Sequence, residues 1–314
     1  MPKYVNCNLC QSKETKVLIK EDLFDIVECR ICGLIYQNPR STQDEILDQF
    51  VSDRVVAEHK KQVWYDAKIN LFRKNLKKIE SYVQKGRLLD VGCGYGTFLT
   101  EAKNHGWQVQ GVEIAKAAHD YCKEKLGLEV FSGTLKEAHF SDQYFDVVTL
   151  WEVLDLVPDP LREFKEVKRI LKPDGIIALR LYNAAFHVFV QRLLKRVPYI
   201  VRSLKISPTI FHRYSFSAKT ITKFLEEAGF GNIRIMPSEL TSADPYATGG
   251  VFGVFGVRII KMLTYGLSKL VFYLSVGRVV VGPSFLVFAK IQKTQKQILP
   301  QRTQSSQRKK GYGK

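Results

Sequence analysis

The stretch "GRLLDVGCGYGTFLTEAKNHG", Gly86–Gly106, constrains the fold more than any other part of the chain. The apolar run Leu88–Val91, interrupted only by Asp90, has the length and composition of a strand buried on both faces. Gly92, Gly94 and Gly96 follow at alternate positions and lead into a helical pattern. Without Cβ atoms the loop can turn sharply and a ligand can approach its backbone. A strand, glycine loop and helix in that order open an α/β sheet whose ligands bind beyond the carboxyl ends of its strands. The rest of the chain continues the alternation. "WQVQGVEI", "LEVFSG", "FDVVTLWEVL" and "IIALRLYN" read as strands, and "GNIRIMPSEL" and "PSFLVFAKI" close the series. Between them, "PLREFKEVKRILKPDG" is an amphipathic helix stopped by Pro173 and Gly175, and "SAKTITKFLEEAGF" is a capped helix. The pattern predicts an α/β fold: a doubly wound, mostly parallel, seven-stranded Rossmann-like sheet.

Ahead of this sheet, Cys7-x-x-Cys10 and Cys29-x-x-Cys32 are separated by 18 residues. Two thiolate pairs on two turns can close a tetrahedral zinc site, and a site closed by four cysteines is structural, not catalytic. "MPKYVNCNLC" lacks the apolar core of a secretory signal, so the cysteines are expected in a reducing compartment. The expected organisation is a small zinc-ribbon-like module over residues 1–40, a helical linker over 41–85, and the sheet domain over 86–291. That domain carries amphipathic helical insertions at about 184–210 and 245–280, and a basic, disordered tail fills 292–314.

The net charge of +17 is concentrated. Gly175–Leu225 holds nine Lys or Arg and no acid, and Pro245–Lys314 holds twelve and no acid. A cationic excess of this kind seeks nucleic acid or anionic lipid. In "GGVFGVFGVRIIKMLTYGLSKLVFYL", Gly249–Leu274, the longest uncharged run reaches from Pro245 to Val257, too short to span a bilayer. On a helix, Arg258, Lys261, Tyr265 and Lys269 share a narrow face, and Leu263, Leu267 and Leu270 lie on the remainder. That arrangement predicts a helix lying on the cytoplasmic face of an anionic membrane, with helix–helix or subunit packing as the alternative. The expected location is cytoplasmic and peripheral to the membrane.

Glu113 ends the second strand, where a carboxylate can accept from both hydroxyls of a ribose. Together with "SGTL" and "FDVVTLWEVL", this order resembles the class I S-adenosylmethionine-dependent methyltransferases. More closely, "CRICGLIYQNPR", "LLDVGCGYGTFL", "FDVVTLWEVLDLVPDP", "ILKPDGIIALRLYN" and "HRYSFSAKTITKFLEEAGF" resemble bacterial methyltransferases with an N-terminal zinc-ribbon module, relatives of the ubiquinone-biosynthesis methyltransferases. The likeness covers roughly residues 7 to 235, with the closing strand near 284–291. It implies a methyltransferase sheet in which Asp90, Gly92, Cys93, Gly94 and Gly96 surround the methionine part of S-adenosylmethionine. Glu113 would hold the ribose, Ile114 would pack on the adenine, and Gly133, Thr134 and Leu135 would edge it. Trp151, Glu152 and Val153 would floor the site. Relatives usually carry an acid where this chain has Thr134, and a histidine where it has Leu156.

A hydroxyl acceptor needs a proton acceptor, and Asp155, His212 and Tyr214 are the catalytic candidates. His212 reads equally well as a structural histidine, and His187 reads as structural. The expected function is methyl transfer, most simply O-methylation, to a small-molecule, glycan or lipid-linked acceptor. A nucleic-acid methyltransferase is the disfavoured rival, because the cations are interleaved with Phe, Leu, Val and Ile. A non-catalytic cofactor-binding protein is the other rival, supported by Thr134 and Leu156.

Overall fold

The computed structural model describes residues 3–20, 24–40, 58–196, 212–239 and 251–292 of the 314-residue chain. The expectations for 41–57, 197–211 and the tail from 293 lie outside the described residues.

Three short strands, β1 (Thr15–Lys20), β2 (Asp25–Cys29) and β3 (Ile35–Asn38), form an antiparallel meander at the N-terminus. Helix α1 (Glu58–Glu80) leads to the sheet domain. There β4 (Arg87–Val91), α2 (Thr97–Asn104), β5 (Gln108–Glu113), α3 (Lys116–Leu126) and β6 (Val130–Ser132) follow one another. Next come β7 (Phe145–Trp151), α4 (Pro160–Ile170), β8 (Leu171–Tyr182) and α5 (Ala184–Leu194). The last elements are β9 (Tyr214–Ser215), α6 (Ala218–Glu227), β10 (Phe230–Pro237), α7 (Val251–Leu274) and β11 (Ser284–Ile291).

Seven strands form one sheet in the order β10-β11-β8-β7-β4-β5-β6. Strands β4 to β8 pair in parallel, and β11 alone runs against its neighbours. The mostly parallel sheet expected from the alternation is present. Its centre, β7, is "FDVVTLW", buried at every position except Asp146, as a strand covered on both faces requires. One face packs Phe72, Leu76 and Ile79 of α1 with Phe98, Leu99 and Trp107. The other packs helices α4 and α6 through Phe164, Ile221 and Phe224, and its core continues into Val27, Leu34 and Tyr36 of the N-terminal meander.

Helix ends follow local chemistry. Asp159 caps α4 by accepting from the amides of Leu161 and Arg162, with Pro160 in the first turn. Ser217 and Thr220 form a reciprocal capping box on α6. Helix α4 stops at Ile170, earlier than the Pro173–Gly175 signal. Pro173 disfavours helical backbone at Lys172, and Leu171 is already extended and paired with Phe145.

One strand was not foreseen. Tyr214–Ser215, read only as the lead-in to a helix, pairs antiparallel with β3 as the fourth strand of the N-terminal sheet. The sheet domain therefore contributes a strand to the cysteine-bearing module.

Candidate functional site

Because β4, β5, β7 and β8 are parallel, the segments after them share one edge. At β4, Gly92, Gly94 and Gly96 have φ of 70°, 54° and 72°, in the left-handed region that side chains resist. A Cβ on Gly92 would lie 2.5 Å from Val153, so close packing forbids it. A Cβ on Gly94 would meet nothing within 4 Å, which marks open room for a ligand. The amides of Gly92 and Cys93 both donate to the Val112 carbonyl, tying the loop to β5. Glu113 crosses between the two segments: one carboxylate oxygen accepts from the Gly94 amide at 2.7 Å, the other from the Ala115 amide at 2.8 Å.

Asp90 lies beneath the loop and is buried. Its carboxyl accepts from the Thr149 hydroxyl at 2.6 Å, and burial pushes its pKa up to about 8. Cys93 is buried, and its thiol stays protonated because of the Cys122 thiol beside it and of burial. That environment disfavours a thiolate nucleophile at this position. Ile114 is half-buried and Leu135 is buried. Gly133, at φ 146°, donates its amide to the Glu113 carbonyl.

Two positions differ from the sequence expectation. Thr134 gives both its amide and its hydroxyl proton to Glu137, at 2.8 and 2.7 Å. An acid therefore stands at this edge, three residues later than in relatives. The Thr-x-x-Glu spacing of a capping box was the signal for it. Glu152 does not present a free carboxylate. It sits at φ 62°, and Lys68 of α1 binds it at 2.7 Å while the fully buried Arg180 of β8 pairs with its other oxygen. Lys68 was not singled out because its neighbours Ile69 and Phe72 marked α1 as a packing helix. Trp151 is buried edge-on against Phe98, and its indole N–H has no partner among the described residues.

A second depression, small and partly open to solvent, lies beyond the ends of β7 and β8. Asp155, His212 and Tyr214 all border it, together with His187 and Tyr182. His212 Nε2 stands 3.5 Å from one Asp155 oxygen. The other Asp155 oxygen is buried with no partner among the described residues, and burial raises the carboxyl's pKa, with His212 opposing. Tyr214 is differently placed: its hydroxyl donates to the Pro158 carbonyl at 3.0 Å and accepts from Arg40 at 2.6 Å, so it is bound away from the cleft. His187 is buried against the Pro283 carbonyl, as a structural residue would be.

The four paired cysteines converge. Their sulfurs lie within 4.8 Å of one another, with Cys7–Cys32 at 3.4 Å and Cys10–Cys29 at 3.5 Å. Tetrahedral zinc with bonds near 2.3 Å needs sulfurs roughly 3.8 Å apart. The donor set fits zinc, though burial pushes the Cys7 and Cys32 thiols up when no cation balances them.

Residues 59–235 match the model of the family described as methyltransferase domain. The match spans more than half of the chain, and the protein belongs to this family as an S-adenosylmethionine-dependent methyltransferase. An uncharacterized protein of Methanocaldococcus jannaschii is 27% identical over 186 residues, 59% of this chain and 82% of that one. The ubiquinone biosynthesis O-methyltransferase of Coxiella burnetii is 30% identical over 126 residues, 38% of this chain and 54% of its own length. The chain thus spans about half of that relative. A solved SAM-dependent methyltransferase of Archaeoglobus fulgidus aligns over 71% of this chain and 94% of its own, with 20% identity and a TM-score of 0.47.

Proposed function

We propose that this methyltransferase acts on a hydroxyl oxygen of a lipid-linked acceptor, a phenol or a sugar, held at an anionic membrane surface. The observation that carries the reading is the buried Asp155 oxygen beside His212, without a partner among the described residues, in a depression beyond the ends of β7 and β8. S-adenosylmethionine supplies a methyl carbon already activated on a sulfonium, so the chain's work is alignment and proton removal. Asp90, Gly92, Cys93, Gly94 and Gly96 would cradle the methionine part. Glu113 would take the ribose hydroxyls, exchanging its contact with the Gly94 amide for them. Ile114, Gly133, Thr134 and Leu135 would border the adenine. Trp151 would offer its free N–H at the floor, and Lys68 and Arg180 neutralise Glu152 beside it. Asp155, its charge steadied by His212, would accept the acceptor's proton on the unpartnered oxygen. Cys7, Cys10, Cys29 and Cys32 would hold one structural zinc.

The lipid part of the reading draws on α7, whose Met262, Leu263, Leu267, Leu270 and Leu274 are exposed, and on Phe189 and Leu193 of α5. Among the described residues no helix is long and apolar enough to cross a membrane. The Coxiella relative, a ubiquinone biosynthesis O-methyltransferase, carries out the same kind of chemistry.

The test is transfer of labelled methyl from S-adenosylmethionine into a total lipid extract, with RNA and a water-soluble fraction offered in parallel. Alkali-stable label in the organic phase, reduced at least tenfold in Asp155→Asn, is expected. Label recovered only in RNA or the aqueous fraction, or unchanged by Asp155→Asn, overturns the reading.

A further inference from the structure

The N-terminal module packs on the sheet domain through apolar side chains and joins it at β9 through directional polar contacts. Strand β3 pairs with β9 through Ile35–Ser215 and Tyr36–Tyr214, and the Gln37 amide donates to the Arg213 carbonyl at 3.2 Å. Arg40, two residues beyond β3, reaches the same strand. Its guanidinium donates to the Tyr214 hydroxyl at 2.6 Å and lies 4.3 Å from the Tyr214 ring centroid and 5.3 Å from that of Tyr36. The backbone of β9 is tied to the cleft, because the Tyr214 amide donates to the Asp155 carbonyl at 3.1 Å, while the Tyr214 hydroxyl also donates to the Pro158 carbonyl. His212 precedes this strand by two residues and meets Asp155. Hence the path from the cysteine cluster to Asp155 runs through β3, Arg40 and β9, and each link is a hydrogen bond or a ring contact.

We propose that the N-terminal module is a positioning element of the acceptor cleft, and that Arg40 and Tyr214 are the residues that hold His212 against Asp155. A module serving only stability would need apolar contact with the domain, which Val27 and Leu34 already supply. The arginine lying against both tyrosine rings adds direction. It fixes the lateral position of a two-residue strand that has too few ladder bonds to hold itself. The Tyr214 hydroxyl then serves as a post between Arg40 and the Pro158 carbonyl. Three segments distant in sequence, at residues 40, 158 and 214, are locked at one oxygen. The cofactor loop is built from β4, β5 and their connections and contains none of these contacts.

The proposal rests on reading the cleft as the acceptor site, but its test does not need the acceptor. The His212 imidazole is followed by its ring carbon–proton NMR signal in the full chain, assigned by its disappearance in His212→Gln. Binding of S-adenosylhomocysteine is measured on the same samples. Arg40→Ala should displace or broaden the His212 signal while the S-adenosylhomocysteine Kd stays within about twofold of wild type, the scatter expected of uncoupled sites. Tyr214→Phe, which keeps the ring and the fold, should move the signal in the same direction by less. The proposal fails if the His212 signal stays in place in both variants. It also fails if the signal moves only together with a tenfold or greater loss of S-adenosylhomocysteine binding, because the module would then act on the whole domain. A failure of lipid methylation would overturn the acceptor reading and leave this result standing.

Discussion

The two halves of the sheet's active edge are built on different principles. The proposed cofactor half lies within one stretch of chain: Asp90, the three glycines, Glu113 and Thr149 are joined by neighbouring parallel strands and by hydrogen bonds between adjacent segments. The proposed acceptor half is gathered from Asp155, Tyr182 and His212, with Arg40, Pro158 and Pro283 binding residues at its border, parts of the chain that meet only after folding. A site made locally keeps its geometry as long as its strands pair. A site made from distant segments depends on every element that brings them together, including a module with its own stabilising chemistry.

Cysteine replacement breaks this comparison most strongly. Structural zinc contributes about 10 to 16 kcal/mol in small zinc domains, which fold only when metal is bound. Cys7→Ser removes a buried ligand from the four-sulfur cluster. Elemental analysis should fall from about one zinc per chain to near none, and limited proteolysis should cut within residues 3–40. S-adenosylhomocysteine binding should survive. Loss of cofactor binding together with the module would show that the two halves are not independent.

Within the cofactor half, two glycines a residue apart should respond differently. Gly92→Ala places a methyl 2.5 Å from Val153 at φ 70°. Overpacking and left-handed strain together cost about 2 to 5 kcal/mol, measurable by urea unfolding. Gly94→Ala meets no atom within 4 Å among the described residues, so only the backbone cost of about 1 to 2 kcal/mol applies. Yet it fills the cradle, and S-adenosylhomocysteine affinity should drop by more than the stability. Equal stability losses in the two variants would erase the distinction between a packing glycine and a ligand-facing one.

These differences explain what could be read in advance. The sheet, its strand sequence and the glycine loop were legible because strands buried on both faces and Gly-rich turns leave signals within a few residues of themselves. Asp155 and His212 were legible as residue types, but their meeting was not, because nothing local encodes β9. Two residues carry no periodicity, and Tyr214–Ser215 is a strand only because β3 supplies its partner. Lys68 was hidden for a related reason. A lysine on a mostly apolar helix face reads as solvated until Glu152 appears opposite it. Tyr214 was read as a proton acceptor from its chemistry, and its hydroxyl proves to be bound between Arg40 and a carbonyl.

Titration sharpens the local half further. Burial raises Asp90 to about 8 in the folded chain, against about 3.9 for an unfolded aspartate. The folded carboxyl thus keeps its proton where the unfolded one has lost it. Its contribution to stability is full below about pH 4 and declines as pH rises toward 8. Asp90→Asn has no such group, and Asn can still accept from Thr149. The stability of the cofactor-free variant relative to wild type should therefore grow between pH 5 and pH 8, by at most about 1.4 kcal/mol per pH unit. Urea unfolding at the two pH values measures it. A difference that stays flat across this range would mean that Asp90 is ionised in the fold.

The smallest effect concerns how the distant half meets its acceptor. Strand β10 runs parallel to β8, so α7 leaves the sheet at the edge that bears the acceptor cleft, and β11 returns there by pairing Ser284 with Tyr182. Just before that return, the Pro283 carbonyl binds His187 and the Asn183 amide. Helix α7 is anchored by the buried Ser268, whose hydroxyl donates to the Val281 carbonyl, while Leu263 and Leu267 on the same helix are exposed. Lys269 is exposed beside them, with its ammonium 4.7 Å from the Tyr265 ring centroid. An apolar face with a cation at its margin suits an anionic interface, where each nearby cation is worth about 1 kcal/mol. Lys269→Gln removes one such charge without disturbing an ion pair to an acid. Sedimentation with vesicles containing phosphatidylserine should show binding weakened about fivefold, the equivalent of that 1 kcal/mol. Neutral vesicles should bind the variant and the wild type alike, because their apolar contribution is unchanged. Equal binding of wild type and variant to the anionic vesicles would remove α7 from the membrane and leave its exposed leucines to a protein surface instead.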